Sequence, residues 1–462
     1  MLPRPVGRQH YVAYWPADGH QVVFGTAGSG KTVMAIHRAA HLARSTTANH
    51  GPVLLVTFTK SLVTYIKHLA AGETDPIVVE TYGKFARGYL ASRGRMSRSG
   101  IADPQDRLEF LKSAIEIARV GYQSNGFFER PDDFFLGELA WIDGQGITSL
   151  EQYLGVDRVG RTAPLQPPSR IALWKVREAY RQNLVAGGKQ YDWWSLANEV
   201  RAALLEDPQP RRYRHIVVDE AQDLSPQEIR SLVDALQAGG SVTLFADYAQ
   251  QIYGNRISWR SVGLNIKRRE SFTENYRNTA EIAALALCMA DMAHFQDSTD
   301  IVAPTAPSAA GAKPTLVRCR SRSEEAAVVR SQASQSGRVA RVGVLARTRA
   351  EAEFATHGIS GVRRLHEDMT SWDAGPGVYA GTYHSGKGLE FDVVILPFCG
   401  NDRIPDSGIV RAFGLADALA RESRLLYVGV TRAKTELLVT YAGELTSVLP
   451  NVSSGLWTVG QV

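Results

Sequence analysis

Apolar residues in this chain gather in short, unbroken runs: Gln21–Phe24, Val53–Phe58, His215–Val218, Val242–Ala246, Val342–Ala346, Val393–Pro397 and Glu436–Tyr441. A run that is apolar on both faces of a strand must be covered on both faces, as in a parallel sheet. Between the runs stand stretches with the period of an amphipathic helix, among them Val33–Ala43, Pro226–Leu236 and Thr279–Met292. Strands alternating with helices predict an α/β fold. The rhythm breaks twice. Residues 86–190 read as helix and loop, with helices over Arg107–Ala118 and Ser169–Leu184, which predicts a mostly α-helical insertion. Ile301–Pro314 is rich in Ala, Pro, Ser and Thr and reads as a surface loop. The expected organisation is a first lobe of residues 1–85 and 191–271, the insertion 86–190, and a second lobe 272–462.

Composition narrows the class. The 462 residues are 44% hydrophobic and 21% charged, ordinary for a globular chain of several domains. With 52 Lys and Arg against 47 Asp and Glu, the net charge of +5 permits an anionic partner without demanding one. Cys288, Cys319 and Cys399 lie far apart with no C-x-x-C spacing, which argues against a disulfide framework or a structural zinc and fits a reducing compartment. Residues 1–15 contain no apolar core of a signal peptide, and no apolar run approaches the roughly 18–20 residues that cross a bilayer. A cytoplasmic protein without a membrane span is expected.

Chemistry enters at Gly25-Thr26-Ala27-Gly28-Ser29-Gly30-Lys31-Thr32, which follows a predicted strand and opens a predicted helix. This is the phosphate-loop pattern in the setting it requires. Glycines let successive backbone N–H groups turn inward around phosphate oxygens, and the helix N-terminus adds partial positive charge. Lys31 would reach the β- and γ-phosphates, and the Thr32 hydroxyl would ligate Mg²⁺. A second acidic contact belongs at the end of a buried strand, where Asp219 follows His215–Val218. Glu220 beside it would polarise the attacking water. An Asp-Glu pair alone is as well explained as a helix cap; the phosphate loop changes that weighting.

The order of segments resembles superfamily 1 DNA helicases of the UvrD/Rep type. The resemblance rests on the phosphate loop, Val56-Thr-Phe-Thr59, Val217-Val-Asp-Glu-Ala-Gln-Asp223, Gln250-Gln-Ile-Tyr253, Glu274-Asn-Tyr-Arg277, His384-Ser-Gly-Lys-Gly-Leu-Glu390 and Tyr427-Val-Gly-Val-Thr-Arg-Ala433. It implies two RecA-like parallel-sheet lobes with ATP and Mg²⁺ between them. Gln9 stands where the family's glutamine reads adenine, Tyr276 where an aromatic stacks on the base, and Glu390 near the ribose. Gln250 matches the first-lobe sensor of the γ-phosphate, and Arg277 and Arg432 match two arginines extended to it from the second lobe. Single-stranded DNA or a tailed duplex is the implied partner, with Phe58 and Tyr253 at stacking positions and Thr57 and His384 at strand contacts. Tyr82 is placed beside them, at the head of a segment that carries Lys84, Arg87, Arg93, Arg95 and Arg98 with Phe85 and Tyr89. Basic residues among aromatics suit a strand-tracking surface or a solvated helix face.

Three departures from the family pattern stand out. Asn255 replaces a stacking Trp, with Trp259 nearby; Val33 replaces an Arg over the adenine; Thr81-Tyr-Gly-Lys84 is a loose counterpart of Thr-Phe-His-Ser. Between Val342–Ala350 and Tyr383 the chain is too short for the helical subdomain that the family commonly inserts there. With the sequence ending soon after Ala433, no nuclease module is expected. The leading expectation is an ATP-dependent translocase or helicase of 3′-to-5′ polarity. An ATP-dependent, DNA-sensing subunit of a separate nuclease is the alternative, and a nucleotide kinase or GTPase unrelated to DNA is the third.

Overall fold

The protein is described from a computed structural model that covers all residues except 1, 27, 71–76, 98, 121, 123–125, 159–160, 162–163, 248–258, 276, 295–308, 366–368, 370 and 461–462. Ala27, Gln250, Tyr253, Asn255 and Tyr276 therefore lie outside the described residues. Two all-parallel sheets carry the fold. The first has six strands: β1 (His20–Gly25), β2 (Val53–Thr57), β3 (Ile77–Thr81), β4 (Tyr213–Val218), β5 (Leu236–Ala246) and β6 (Ile266–Phe272), in the order β3-β2-β4-β5-β1-β6. The second has seven: β7 (Thr315–Cys319), β8 (Arg341–Ala346), β9 (Arg363–Arg364), β10 (Gly377–Thr382), β11 (Phe391–Leu396), β12 (Ala433–Ala442) and β13 (Thr458–Gly460), in the order β13-β7-β12-β11-β8-β10-β9.

All seven apolar runs lie in central positions of these sheets, where helices cover both faces. The strands that the pattern missed have reasons to be missed. β6 is an edge strand, Ile-Lys-Arg-Arg-Glu-Ser-Phe, whose charges need cover on one side only; β10 contains Gly377 and Gly381. The helix expected over Pro226–Leu236 stops at Asp234, and Leu236 already belongs to β5.

The segment between β3 and β4 is helical apart from irregular joins, with helices Pro104–Arg119, Asp132–Gln145 and Pro167–Ala186. Asp103 closes a capping box ahead of Pro104, which starts the first of these sharply. Phe134, Phe135, Trp141 and Tyr153 fill its own core. Ala412 and Phe413 of the second lobe pack against that core, so the insertion touches both lobes. Among the described residues no helix is long and apolar enough to cross a membrane.

Candidate active site and nucleic-acid interface

A parallel sheet delivers loops at the carboxyl ends of its strands, and this is where the first lobe collects its polar residues. The phosphate loop follows β1, Asp219 and Glu220 follow β4, and Asp247 follows β5. Because β1 lies beside β5, and β5 beside β4, the three loops converge. Gly28 and Gly30 both have φ 81°, a left-handed conformation that a side chain would strain. A Cβ on Gly30 would stand 2.9 Å from Gln9 Nε2, and one on Gly28 only 2.1 Å from Asn275 Oδ1. Lys31 folds back into the loop, donating to the carbonyls of Gly25 and Thr26 at 2.8 Å and to Asp247 at 3.3 Å. Thr32 Oγ1 donates to Asp219 Oδ2 at 2.8 Å.

Asp219 Oδ1 and Ser29 Oγ are buried with no hydrogen-bond partner among the described residues. A hydroxyl beside a carboxylate with an open oxygen is the hard donor set that suits a Mg²⁺ shared with phosphate oxygens. Burial, followed by the charge of Glu220, raises Asp219 to about 7. Glu220 moves the other way: burial pushes its pKa up, but Lys387, Lys31 and Arg432 together outweigh it and hold the group ionised. Its φ of 57° places a non-glycine residue in the left-handed region, a cost of about 1–3 kcal/mol that turns the carboxylate toward these cations.

The second lobe closes the cleft from the opposite side. β11 and β12 are parallel neighbours with Phe391 opposite Ala433, so Glu390 and Arg432, one residue before each strand, come together. Arg432 is 1% exposed, held by the carbonyls of Val428 and Leu389; burial lowers it to about 10, still fully cationic near neutrality. Asn275 Oδ1 accepts from the backbone N–H of Arg277 and Asn278, and Asn278 bonds the Thr431 carbonyl, which fixes the Arg277 turn beside Arg432. The Arg277 guanidinium is parked on Glu390 at 2.6 Å, and Lys434 reaches the same carboxylate at 2.9 Å. Burial raises Glu390, but Arg277 and Lys434 bring it down to about 2. Gln9 braces the loop: its Oε1 accepts from Val6 N and its Nε2 donates to the Ser29 carbonyl.

Beside this cleft runs a second one of about 1820 Å³, bounded by the first lobe, the insertion and the second lobe. Eleven Lys and Arg against five Asp and Glu line it, so a chain of net charge only +5 concentrates its positive charge here. Phe58 and His384, both half-buried, stand in its wall. Burial, then Lys387 and Arg347, lower His384 to about 4, so the ring is neutral at pH 7.

Of the expected strand contacts, Thr57 is corrected and Tyr82 keeps only a buried place in the groove wall. Thr57 is fully buried at the end of β2, because it and Phe58 point to opposite faces of the strand. Tyr82 is 4% exposed, with its hydroxyl paired with Ser231 at 2.7 Å, yet it remains among the residues that line the groove. The most exposed aromatic described in this wall is Trp193, 42% exposed with Arg87 over its ring at 5.9 Å. Its neighbour Trp194 packs under Arg107 at 4.9 Å.

Comparison with known proteins agrees with this geometry. Residues 8–269 match the model of the UvrD/REP helicase N-terminal domain, and residues 364–444 that of the UvrD-like helicase C-terminal domain. The chain belongs to the UvrD/REP helicase family. It is an ATP-hydrolysing enzyme of the DNA helicase class. The ATP-dependent DNA helicase UvrD2 of Mycobacterium tuberculosis is 26% identical over 92% of this chain and 77% of its own length. DNA helicase II of Haemophilus influenzae is 23% identical over 57% of this chain and 37% of its own. The ATP-dependent DNA helicase PcrA of Leuconostoc citreum is 41% identical over 18% of this chain and 11% of its own.

Asp247, Asn275, Lys387, Lys434 and Trp193 join the site without having been singled out from the sequence. Asp247 had a legible signal, an acid ending a buried apolar run, as Asp219 has. Lys387 and Lys434 lie inside or next to recognised motifs, but only the fold shows which carboxylates they meet.

Proposed function

We propose that this helicase is a single-stranded DNA translocase that moves 3′ to 5′, driven by ATP hydrolysed between its lobes. The observation that carries the reading is the meeting of the phosphate loop with Arg277 and Arg432 in one cleft, alongside a basic groove with Phe58 and Trp193 in its wall. Glu220 takes a proton from the attacking water, while Lys31 shifts from the loop carbonyls to the β- and γ-oxygens. Mg²⁺, when bound with the triphosphate, would be held by Thr32 and Asp219 and would neutralise charge on its oxygens. Arg277 leaves Glu390 and joins Arg432 on the γ-phosphate; planar guanidinium groups suit charge spread over several oxygens. Lobes drawn together by these contacts part after hydrolysis, and the strand moves past Phe58 and Trp193 by alternate gripping. Gln250, Tyr253 and Tyr276 are assigned the γ-phosphate, strand and adenine contacts of the family motif they occupy.

A second reading has one specific support. Between β8 and β10 the described elements are only the helix Arg349–Thr356 and the two-residue β9, where a duplex-engaging subdomain would otherwise stand. A chain of this form suits a DNA-sensing ATPase that serves a nuclease or another partner. ATP turnover with and without oligonucleotides, and strand displacement from 3′- and 5′-tailed duplexes, separate the readings. Lys31→Ala and Glu220→Gln are each expected to abolish DNA-stimulated turnover. Displacement only from 5′ tails would overturn the polarity, and stimulated turnover without displacement would favour the partner-dependent form.

A further inference from the structure

The three bodies of the fold meet in pairs, and each junction borders the basic groove. The two lobes join where Ser61 Oγ donates to the Ser385 carbonyl at 2.9 Å and Lys387 Nζ donates to Asp223 Oδ1 at 2.7 Å. First lobe and insertion join where Arg230 donates to the Gln145 carbonyl at 2.8 Å, and where a Cβ on Gly144 would stand 3.1 Å from Ser225 Cβ. The third junction sets insertion against second lobe. Gly137 lies inside the insertion helix Asp132–Gln145, and a Cβ there would stand 3.2 Å from Cζ of Phe413, the last residue of the helix Ser407–Phe413. Glycine is a poor helix former; here it lets a ring from the second lobe come against the helix backbone. Arg421 holds that ring from its own lobe, 3.9 Å from the centroid, and Arg161 of the insertion donates to the Gly137 carbonyl. Ser61, Ser385, Asp223, Gly144, Gly137 and Arg421 all line the groove, so the three junctions make a circuit of contacts around it.

We propose that this circuit encloses the bound strand, and that the substrate is single-stranded DNA with a free end, which threads into the groove. This rests on the DNA reading above and narrows its substrate class. The insertion is continuous with the first lobe at both of its ends, and the second lobe follows the first directly after β6. Insertion and second lobe share no such connection, so sideways entry requires Phe413 to leave Gly137. Arg161, Arg421 and Arg424 stand at that junction and in the groove wall, so the contact that completes the circuit also offers cations to the phosphates of an enclosed strand.

The test uses one labelled poly-dT strand, linear or ligated into a circle, with association followed by fluorescence anisotropy and ATP turnover measured on each form. A circle enters only while the Phe413 junction is open, and an open state populated at about 10% or less slows its association about tenfold or more relative to the linear strand. A linear strand carrying streptavidin on biotin at both ends is expected to behave as the circle does. Phe413→Ala removes the wedge but no groove-lining side chain. It is expected to bring association of the circle within about threefold of the linear strand, with stimulation of turnover by the linear strand kept. Equal association of wild type with circle and linear strand, or with the doubly blocked strand, would overturn the proposal. So would a Phe413→Ala protein that thermal unfolding shows to be folded and that still excludes circles. Should that variant not fold, the blocked strand decides by itself. Association with neither form, or turnover that linear poly-dT leaves unstimulated, is instead the failure of the DNA reading.

Discussion

Glu220 illustrates how much of this site is set one residue at a time. Its left-handed backbone, its bond from Gln222 and three nearby cations keep an acid ionised although it is 5% exposed. His384 is tuned the opposite way. Its pKa of about 4 lies below the ordinary 6.5, with burial the largest cause and Lys387 next. The native state thus favours the neutral ring, so its contribution to stability is full above pH 6.5 and is lost as pH falls toward 4. The unfolding midpoint of wild type is expected to drop over that interval, and His384→Phe to flatten the drop. An equally steep decline in the variant would mean that His384 is not the group responsible. At this scale the sequence was readable where one residue type has one use, as with Lys31 and Thr32 in a phosphate loop. It was not readable for Lys387, because a lysine in the turn between two strands has many uses and only its partners select one.

Secondary elements decide which side chains are available. The helix Tyr82–Ser92 buries Tyr82, Phe85 and Leu90 and leaves Lys84 and Arg87 exposed, and all of these but Leu90 border the groove. Trp193, in the turn before the helix Leu196–Glu206, lies over this face, so close that a Cβ on Gly83 would stand 2.9 Å from its ring. Trp193→Ala is expected to weaken oligonucleotide binding by about 1–3 kcal/mol, read by fluorescence anisotropy. Tyr82→Phe should leave that affinity unchanged and lower stability by about 1 kcal/mol through loss of the bond to Ser231. A large loss of DNA affinity in Tyr82→Phe would mean that its hydroxyl meets the strand. The amphipathic period of this helix was legible, but which of its aromatics faced a ligand depended on what packed against it.

Over the whole molecule, two sheets and a helical insertion bring loops from distant parts of the sequence to a nucleotide cleft and a basic groove. The groove predicts a polyelectrolyte signature: the logarithm of oligonucleotide affinity falls linearly with the logarithm of salt, by about 0.7 per phosphate neutralised. Arg87→Ala and Arg349→Ala, both exposed in the groove wall, should each reduce that slope by about 0.7. A slope unmoved by either would place the strand elsewhere. The sequence alone determined the α/β fold, the central strands, the phosphate loop and the helicase family. Each of these is written in contiguous residues whose period or spacing has a local physical meaning. The tertiary structure decided that Arg277 rests on Glu390, that Thr57 and Tyr82 are interior while Trp193 is not, and that Lys387 reaches across to Glu220. Those outcomes turn on which face of an element another element covers and on charges paired across more than a hundred residues, and distance along the chain carries no record of either.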